Sequence, residues 1–193
     1  MTEVKFKDRY RIASARAAWH DYLGGAYFVT ICTHDKEYYF GRIVGGQMVF
    51  SKIGDYANGL FQDVSTYYPY AEIPAFVVMP NHIHAIVIID GWIRNDITCR
   101  DAIHHVSETT QADTQRGGIT GHDNPMLYRS LGTVIRGLKG RVSHFANENG
   151  LVFIWQSRFH DRIIRNQDAM NEFALYIENN VPRWHEDDLC LES

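Results

Sequence analysis

The segment Pro80-Asn81-His82-Ile83-His84 places two imidazoles two residues apart, between apolar runs at residues 75–79 and 85–89. Because a β-strand alternates its side chains, His82 and His84 are predicted to point to the same face, about 6–7 Å apart along the strand. Two imidazoles at that spacing can share one metal ion. Burying two unpaired polar rings would instead cost free energy. The alternative is a structural pair of hydrogen-bonded histidines at the end of a strand.

A tyrosine and an asparagine near the C-terminus form a second candidate group. A helix is predicted to begin at Asn166, a favoured N-cap residue, and Pro182 disfavours helix at Val181. Tyr176 and Asn180 are four residues apart, so they share a face in the last turns of that helix. The alternative is that Tyr176 is a core aromatic residue and that Asn180 caps the helix. The residues predicted to share the face are Ala169, Phe173, Tyr176, Ile177 and Asn180.

The elements that position these side chains are predicted from hydrophobic periodicity and turn residues. The pattern predicts a strand over 27–33, a hairpin at Gly45-Gly46 within 42–50, a helix over 51–67, strands over 73–79 and 82–90, a helix over 128–147, a short strand over 151–155 and local pairing at 162–164. We interpret residues 1–193 as one domain with an N-terminal basic arm, 1–22. Residues 107–124 are nearly all polar and are predicted to form a flexible insertion.

The composition of the chain favours a globular protein of the cytoplasm. Its 193 residues are 45% hydrophobic, which is enough for one core. No apolar run reaches the roughly 20 residues needed to span a bilayer, and the first 22 residues lack the apolar region of a signal peptide. Cys32, Cys99 and Cys190 are widely spaced and odd in number, which argues against a disulfide framework. We therefore expect a cytoplasmic protein without a membrane partner.

Charge is unevenly distributed along the chain. The formal net charge is -4, yet residues 129–165 hold seven Lys or Arg residues against two acidic residues. Negative charge collects elsewhere, notably in Glu186, Asp187, Asp188 and Glu192. A basic face on a mildly acidic protein can bind phosphates, although a charged run alone is often only a solvated surface.

Three segments together resemble the single-tyrosine HUH transposases of insertion sequences. Residues 78–84, VMPNHIH, look like the family's histidine–hydrophobe–histidine motif. Residues 155–166, WQSRFHDRIIRN, look like the W-Q-x-x-x-x-D-x-x-I-R stretch of the REP-associated branch, and residues 176–184 are similar to its nucleophile helix, Y-I-x-x-N-P-x-x-W. Here Val181 stands where the motif has proline, and Pro182 follows. The resemblance covers about residues 27–184, with 91–125 as its loose part.

The resemblance implies a fold, an activity and a set of site residues. The fold would be α+β and ferredoxin-like, an antiparallel sheet backed by helices. The activity would be metal-dependent cleavage and strand transfer of single-stranded DNA at hairpins of repetitive extragenic palindromes. Tyr176 would be the nucleophile that forms a 5′-phosphotyrosine, and His82, His84 and Asn180 would hold Mg²⁺ or Mn²⁺. The protein would act as a monomer or a homodimer.

The basic segment supplies candidate contacts to the DNA backbone, for which solvated surface is the alternative. These candidates are Arg136, Lys139, Arg141, Arg158, Arg162 and Arg165. One rival function is a hairpin-binding regulator that keeps the fold but no longer cleaves. A second is a metal-dependent hydrolase, disfavoured because no Glu or Asp lies close to His82 and His84 in the sequence. A third, an RNA-binding module, lacks an obvious aromatic pair for base stacking.

Overall fold

The computed structural model describes residues 24–90 and 129–190. In chain order the strands are β1 Gly25–Cys32, β2 Gly41–Val44, β3 Gln47–Phe50, β4 Ala71–Val78, β5 His82–Ile89 and β6 His160–Ile164. The helices are α1 Lys52–Gln62, α2 Val64–Tyr67, α3 Leu131–Glu148 and α4 Gln167–Asn180, with short 3-10 turns at His34–Lys36 and Trp184–Glu186. The predicted basic arm, 1–22, and the predicted insertion, 107–124, lie outside the described residues. Among the helices that are described, none is both long and apolar enough to cross a membrane.

Four of the strands form one sheet in the order β4-β5-β1-β6, and every neighbouring pair is antiparallel. The helix α1 connects β1 to β4, and α3 lies between β5 and β6 in the chain. This strand–helix–strand–strand–helix–strand sequence, with that strand order, is the ferredoxin-like topology. The predicted α+β class, an antiparallel sheet backed by helices, is therefore confirmed. Strands β2 and β3 form a separate hairpin, and α4 adds a helix after β6.

The two faces of the sheet pack against different helices. One face contributes alternate residues of β5, Ile83, Ala85, Val87 and Ile89, to a large apolar core with the buried sides of α1 and α3. The other face contributes Ile86 to a smaller apolar cluster with α4. Strand alternation puts His82 and His84 on this second face, in line with Ile86. The three layers are thus α1 and α3, the sheet, and α4.

Local sequence signals account for the ends of the elements next to the site. Gly45 and Gly46 have φ of 58° and 76°, which suits the two-residue turn between β2 and β3. The Asn166 side chain accepts a hydrogen bond from the Ala169 N–H at 2.8 Å, so it caps α4 as predicted. The last helical residue is Asn180, although Val181 still has helical angles, φ -61° and ψ -50°, despite preceding a proline.

Apart from shifts of a few residues at element ends, three sequence-based predictions differ from the structure. The helix predicted over 51–67 is two helices, α1 and α2, separated at Asp63. The strand predicted over 151–155 is only one isolated bridge, between Thr33 and Trp155. The buried side of α4 is formed by Gln167, Met170, Ala174, Ile177 and Asn180, so Phe173 and Tyr176 lie at its margin. A margin residue can pack its ring and still reach solvent, which periodicity alone does not distinguish from burial.

Candidate active site

Both histidines of the motif lie at the start of β5, on the sheet face that α4 covers. His82 is fully buried and His84 is 4% exposed. Their ring centroids are 4.4 Å apart. Phe28 on β1 stacks on His84 with a centroid distance of 5.2 Å, so an aromatic neighbour supports the ring from the side of the smaller core. The sequence-based placement of the two rings on one face is what the backbone shows.

Each histidine has one ring nitrogen in a hydrogen bond and the other turned toward α4 and the C-terminal segment. His82 Nδ1 lies 2.8 Å from Asn81 Oδ1, and His84 Nδ1 lies 2.9 Å from Thr30 Oγ1. His84 Nε2 lies 3.4 Å from the Tyr176 hydroxyl, whereas His82 Nε2 is buried with no hydrogen-bond partner. Leaving such an atom unpaired costs free energy unless a ligand satisfies it.

Burial controls the protonation of the pair. It lowers the pKa of His82 well below its usual value, and the neighbouring His84 lowers it further. Burial also lowers the pKa of His84 to about 4, against an opposing effect from Asp187. Both rings are consequently neutral near pH 7, the state in which an imidazole nitrogen can bind a metal ion.

Asp187 is a member of the site that the sequence analysis missed. It follows the 3-10 turn at Trp184–Glu186, and its side chain is 5% exposed. One ligand atom each from His82, His84 and Asp187 lies within 4.8 Å of the other two. In the sequence, Asp187 was visible only as one of several acidic residues near the C-terminus. Contrary to the sequence-based expectation, an acidic side chain therefore does lie beside the histidines.

Asn180 lies beside this cluster at the end of α4. Its side chain is 5% exposed, and its Nδ2 donates to Asp187 Oδ2 at 3.3 Å. Its Oδ1 is buried without a hydrogen-bond partner. In the part of the chain that the structure describes, Asn180 Oδ1 and His82 Nε2 are the two buried side-chain polar atoms in that condition. The chain thus places two unsatisfied electron-pair donors around one carboxylate.

Tyr176 occupies the solvent side of the same cluster. Its side chain is 45% exposed, so it is not a core aromatic residue. Its hydroxyl lies 3.4 Å from His84 Nε2 and 3.5 Å from Asp187 Oδ2. The ring contacts Phe28 and His84 edge-on, with centroid distances of 5.9 and 5.2 Å. Burial and the charge of Asp187 raise the pKa of Tyr176, so the hydroxyl is protonated near neutral pH.

Tyr176 lines a cavity of about 450 Å³ between α4 and the C-terminal segment. Its lining includes the carboxylates of Glu172, Glu186, Asp187 and Asp188, against one cation, Arg183. An excess of negative charge repels a phosphate, so an anionic substrate needs a bound cation here.

The residues fit a divalent metal ion. Two neutral imidazoles and a carboxylate form a donor set that suits Mn²⁺ and Zn²⁺, while Mg²⁺ prefers oxygen donors. The unpartnered His82 Nε2 and Asn180 Oδ1 are the observations that favour such an ion over a purely structural pair of histidines. A metal would also reduce the charge excess of the cavity.

The six basic candidates are divided between the two sides of the sheet. Arg136, Lys139 and Arg141 lie on α3, which packs on the face opposite the histidines. The Lys139 ammonium donates to the Gln156 carbonyl at 2.6 Å, and burial lowers its pKa. The Arg141 guanidinium lies 3.9 Å from the centre of the Tyr67 ring. Lys139 and Arg141 therefore already have contacts within the protein.

The other three candidates lie on or next to β6, and two of them share a groove with α4. Arg162 pairs in register with Phe28, and its guanidinium lies 5.7 Å from the centre of the Phe173 ring on α4. Arg162, Arg165 and Phe173 line a groove of about 500 Å³. Glu172 borders both this groove and the Tyr176 cavity, so the two openings adjoin. Arg158, which precedes β6, is exposed.

No protein-family model matches the chain. Two of the solved structures that are similar to this chain are the following. A REP-associated tyrosine transposase bound to a REP hairpin has 22% sequence identity and a TM-score of 0.49, over 96% of this chain and 74% of that one. A candidate transposase from Deinococcus radiodurans R1 has 14% identity and a TM-score of 0.36, over 87% of this chain and 97% of that one.

One curated protein is similar in sequence. An uncharacterized protein of Haemophilus influenzae is 28% identical over 169 residues, which are 87% of this chain and 86% of that protein.

Proposed function

We propose that this protein cleaves and rejoins single-stranded DNA at hairpins, through a covalent 5′-phosphotyrosine at Tyr176. His82, His84 and Asp187 would hold a divalent metal ion, Mg²⁺ or Mn²⁺, of which Mn²⁺ suits this donor set better, with Asn180 beside it. One observation carries the proposal: the hydroxyl of the half-exposed Tyr176 lies within 3.5 Å of both His84 Nε2 and Asp187 Oδ2. A solvent-facing tyrosine has no structural need for two buried polar partners, whereas a nucleophile must be oriented by neighbours of this kind.

The chemical step exchanges one phosphorus–oxygen bond for another and needs no second substrate. The Tyr176 hydroxyl oxygen attacks the phosphorus atom, one P–O bond forms, and the bond from phosphorus to the 3′ oxygen breaks. The phenolic proton ends on the leaving 3′ oxygen, which becomes a 3′-OH. Because the phosphotyrosine is again a diester, a DNA 3′-OH can reverse the step and join a new end. The protein would therefore work as a transposase-like transesterase, as the sequence motifs imply.

The surrounding residues would make this step possible near neutral pH. A bound divalent ion supplies a positive charge that polarises the phosphate and stabilises charge on the leaving oxygen. Asp187 would orient the tyrosine hydroxyl through Oδ2, and His84, whose Nε2 would bind the ion, lies 3.4 Å from that hydroxyl and so places it beside the metal site. Asn180 holds the Asp187 carboxylate through its Nδ2, and its unpartnered Oδ1 is available to a ligand.

The groove between β6 and α4 is the proposed path of the DNA strand to the tyrosine. Arg162 and Arg165 offer positive charge, and the half-buried ring of Phe173, stacked on Phe28, lies beside them. Positive groups with an aromatic surface suit single-stranded nucleic acid, because phosphates bind the cations and bases stack on the ring. The three basic residues on α3 remain proposed contacts to a more distant part of a hairpin.

The proposal is tested by covalent capture. A DNA hairpin with unpaired flanks is incubated with the protein and Mn²⁺, and the products are separated under denaturing conditions. We expect a protein–DNA adduct that carries a label placed at the 3′ end of the DNA, while a 5′ label is released on a fragment with an extendable 3′-OH. Tyr176→Phe removes one hydroxyl and keeps the ring, so it should lose the adduct and keep hairpin binding within about threefold, since the ring packing is unchanged.

Tyr67→Phe is the matched control, because Tyr67 is similarly exposed and lies on α2, away from the histidines. It should form the adduct like the wild type. An adduct in Tyr176→Phe would move the nucleophile elsewhere. Cleavage without any adduct would instead indicate a metal-dependent hydrolase, for which Asp187 is an available base. Hairpin binding without cleavage in every protein would indicate the non-cleaving regulator.

A further inference from the structure

The side chain of Asn81, in the turn between β4 and β5, makes hydrogen bonds to three other residues around the site. Asn81 is fully buried. Its side-chain oxygen lies 2.8 Å from His82 Nδ1, and its Nδ2 lies 3.2 Å from the Lys36 carbonyl and 2.8 Å from the Leu189 carbonyl. We propose that Asn81 is a positioning residue that fixes His82 and Asp187 together for metal binding. This inference rests on the proposed metal site and adds a residue that does not touch the metal itself.

The orientation of the Asn81 amide determines which nitrogen of His82 carries a proton. Two carbonyl oxygens can accept hydrogen bonds but cannot donate, so the atom that faces Lys36 and Leu189 must be the NH₂ group. The atom that faces His82 Nδ1 is then the amide oxygen, which can only accept. His82 must therefore carry its proton on Nδ1 and keep the lone pair of Nε2 free, as metal binding requires.

The same amide reaches Asp187 through one residue of the backbone. The Leu189 carbonyl accepts from Asn81 Nδ2, and the Leu189 N–H donates to Asp187 Oδ1 at 2.7 Å. The other carboxylate oxygen, Oδ2, lies 3.9 Å from His82 Nε2. A closed ring of contacts thus runs from His82 Nδ1 through Asn81, Leu189 and Asp187 back to His82 Nε2. A residue on β5 and a residue more than a hundred positions later are held by a single amide.

The main chain of Asn81 attaches the turn to β1 independently of its side chain. The Asn81 carbonyl accepts from the Thr33 N–H and from the Thr33 hydroxyl, both at 2.9 Å, and these bonds tie the turn to the end of β1. They do not involve the amide side chain. A side-chain substitution at Asn81 therefore separates positioning of the ligands from attachment of the turn, and Thr33→Val provides the matched control for the turn.

Two variants divide the proposed role into its parts. Asn81→Leu removes the acceptor for His82 and the donor to Leu189. Asn81→Asp keeps an acceptor for His82 Nδ1 but has no N–H to hold the Leu189 carbonyl. Metal-free protein labelled with ¹⁵N-histidine is studied by NMR to determine the His82 tautomer, with the His82→Ala spectrum used for assignment. Mn²⁺ alone is then titrated and followed by EPR, and urea unfolding verifies that each variant is folded.

We expect the wild type, Thr33→Val and Asn81→Asp to carry the His82 proton on Nδ1, and Asn81→Leu to lose that preference. Mn²⁺ affinity should fall about 10- to 100-fold in Asn81→Leu and about tenfold in Asn81→Asp, typical of outer-shell partners, and should stay within about twofold in Thr33→Val. An unchanged tautomer in folded Asn81→Leu, or wild-type affinity in both Asn81 variants, would overturn the inference. If the wild type itself bound no Mn²⁺, the proposed metal site would fail, whereas the tautomer would still decide whether Asn81 orients His82.

Discussion

The two faces of the sheet use the same strands for opposite purposes. Toward α1 and α3, β5 presents Ile83, Ala85, Val87 and Ile89, and all four side chains lie in one large apolar core. Toward α4, the same strand begins with His82 and His84 and becomes apolar only at Ile86. A shift of one residue in register would exchange these two sets. Burial of the apolar face therefore specifies the register of β5, and that register puts the histidines on the other face.

Apolar packing around α4 allows polar groups to be buried at one end of the smaller core. The cluster around α4 is completed by Met170, Ala174 and Ile177, which cover Ile86 and Ile164. Beyond Ile177 the helix continues to Asn180, and the C-terminal segment brings in Asp187. Apolar packing in the middle of α4 thus anchors the helix, while its last turn is free to carry Tyr176 and Asn180. Apolar packing and the proposed chemistry are thus separated along one helix and across one sheet.

The largest effect is expected from the histidine face. His82→Ala, His84→Ala and Asp187→Asn should each reduce metal-dependent cleavage of a DNA hairpin to the level seen when wild-type protein is treated with a chelator. The reason is that each change removes one donor atom from a set of three. Mn²⁺ binding by EPR should weaken in parallel. Normal cleavage by these variants in the presence of chelator would make the histidines structural.

The opposite face should give the reverse result. Ile83 lies between the two histidines in the sequence, but its side chain points to the opposite face of the sheet. It is fully buried in the large apolar core. Ile83→Ala should lower the free energy of unfolding by about 2–5 kcal/mol, the usual range for such a cavity. Mn²⁺ affinity of the protein that remains folded should not change. Urea unfolding and EPR titration on the same sample test this contrast, and a large loss of affinity would show that the two faces are not independent.

A third test uses pH. The unfolded chain has a His84 pKa near 6.5, and the folded protein has one of about 4. Because its pKa is depressed in the folded protein, His84 binds a proton more readily in the unfolded state. The contribution of neutral His84 to the free energy of unfolding is therefore full above pH 6.5 and is lost as the pH falls toward 4. For His84 the loss is about 3 kcal/mol, and His82 acts in the same direction. Between pH 7 and 4.5, the free energy of unfolding, measured with urea on metal-free protein, should fall less in His84→Gln than in the wild type. An equal fall in both proteins would contradict the lowered pKa of His84.

The smallest effect concerns the basic residues. Arg162→Gln with Arg165→Gln should reduce the slope of log K against log salt for hairpin binding by roughly 1.4–1.8, corresponding to two lost phosphate contacts. Arg136→Gln with Arg141→Gln removes the same charge from the other face and is the matched control. We expect its slope to fall by less than that of the Arg162 and Arg165 pair, because the α3 residues would contact only a more distant part of the hairpin. A reduced slope for the α3 pair alone would place the DNA path across α3 instead of the groove beside α4.

Much of the site's local geometry could be predicted from the sequence. Alternation along a strand put His82 and His84 on one face, and helical periodicity with the Asn166 cap put Tyr176 and Asn180 in the last turns of α4. These features depend on residues two to four positions apart, whose relative directions are set by backbone geometry. The ferredoxin-like fold followed from the sequence motifs, and the strand order of the structure agrees with it.

What the sequence by itself determined, then, is which side chains are neighbours along one element. Only the tertiary structure decided that α4 meets the histidine face, that Asp187 joins His82 and His84, and that the basic residues of α3 lie on the other side of the sheet. Asp187 is 103 positions after His84, and no periodicity relates residues so far apart. Their distance is set by how layers pack and where a chain turns, and those depend on the whole apolar core.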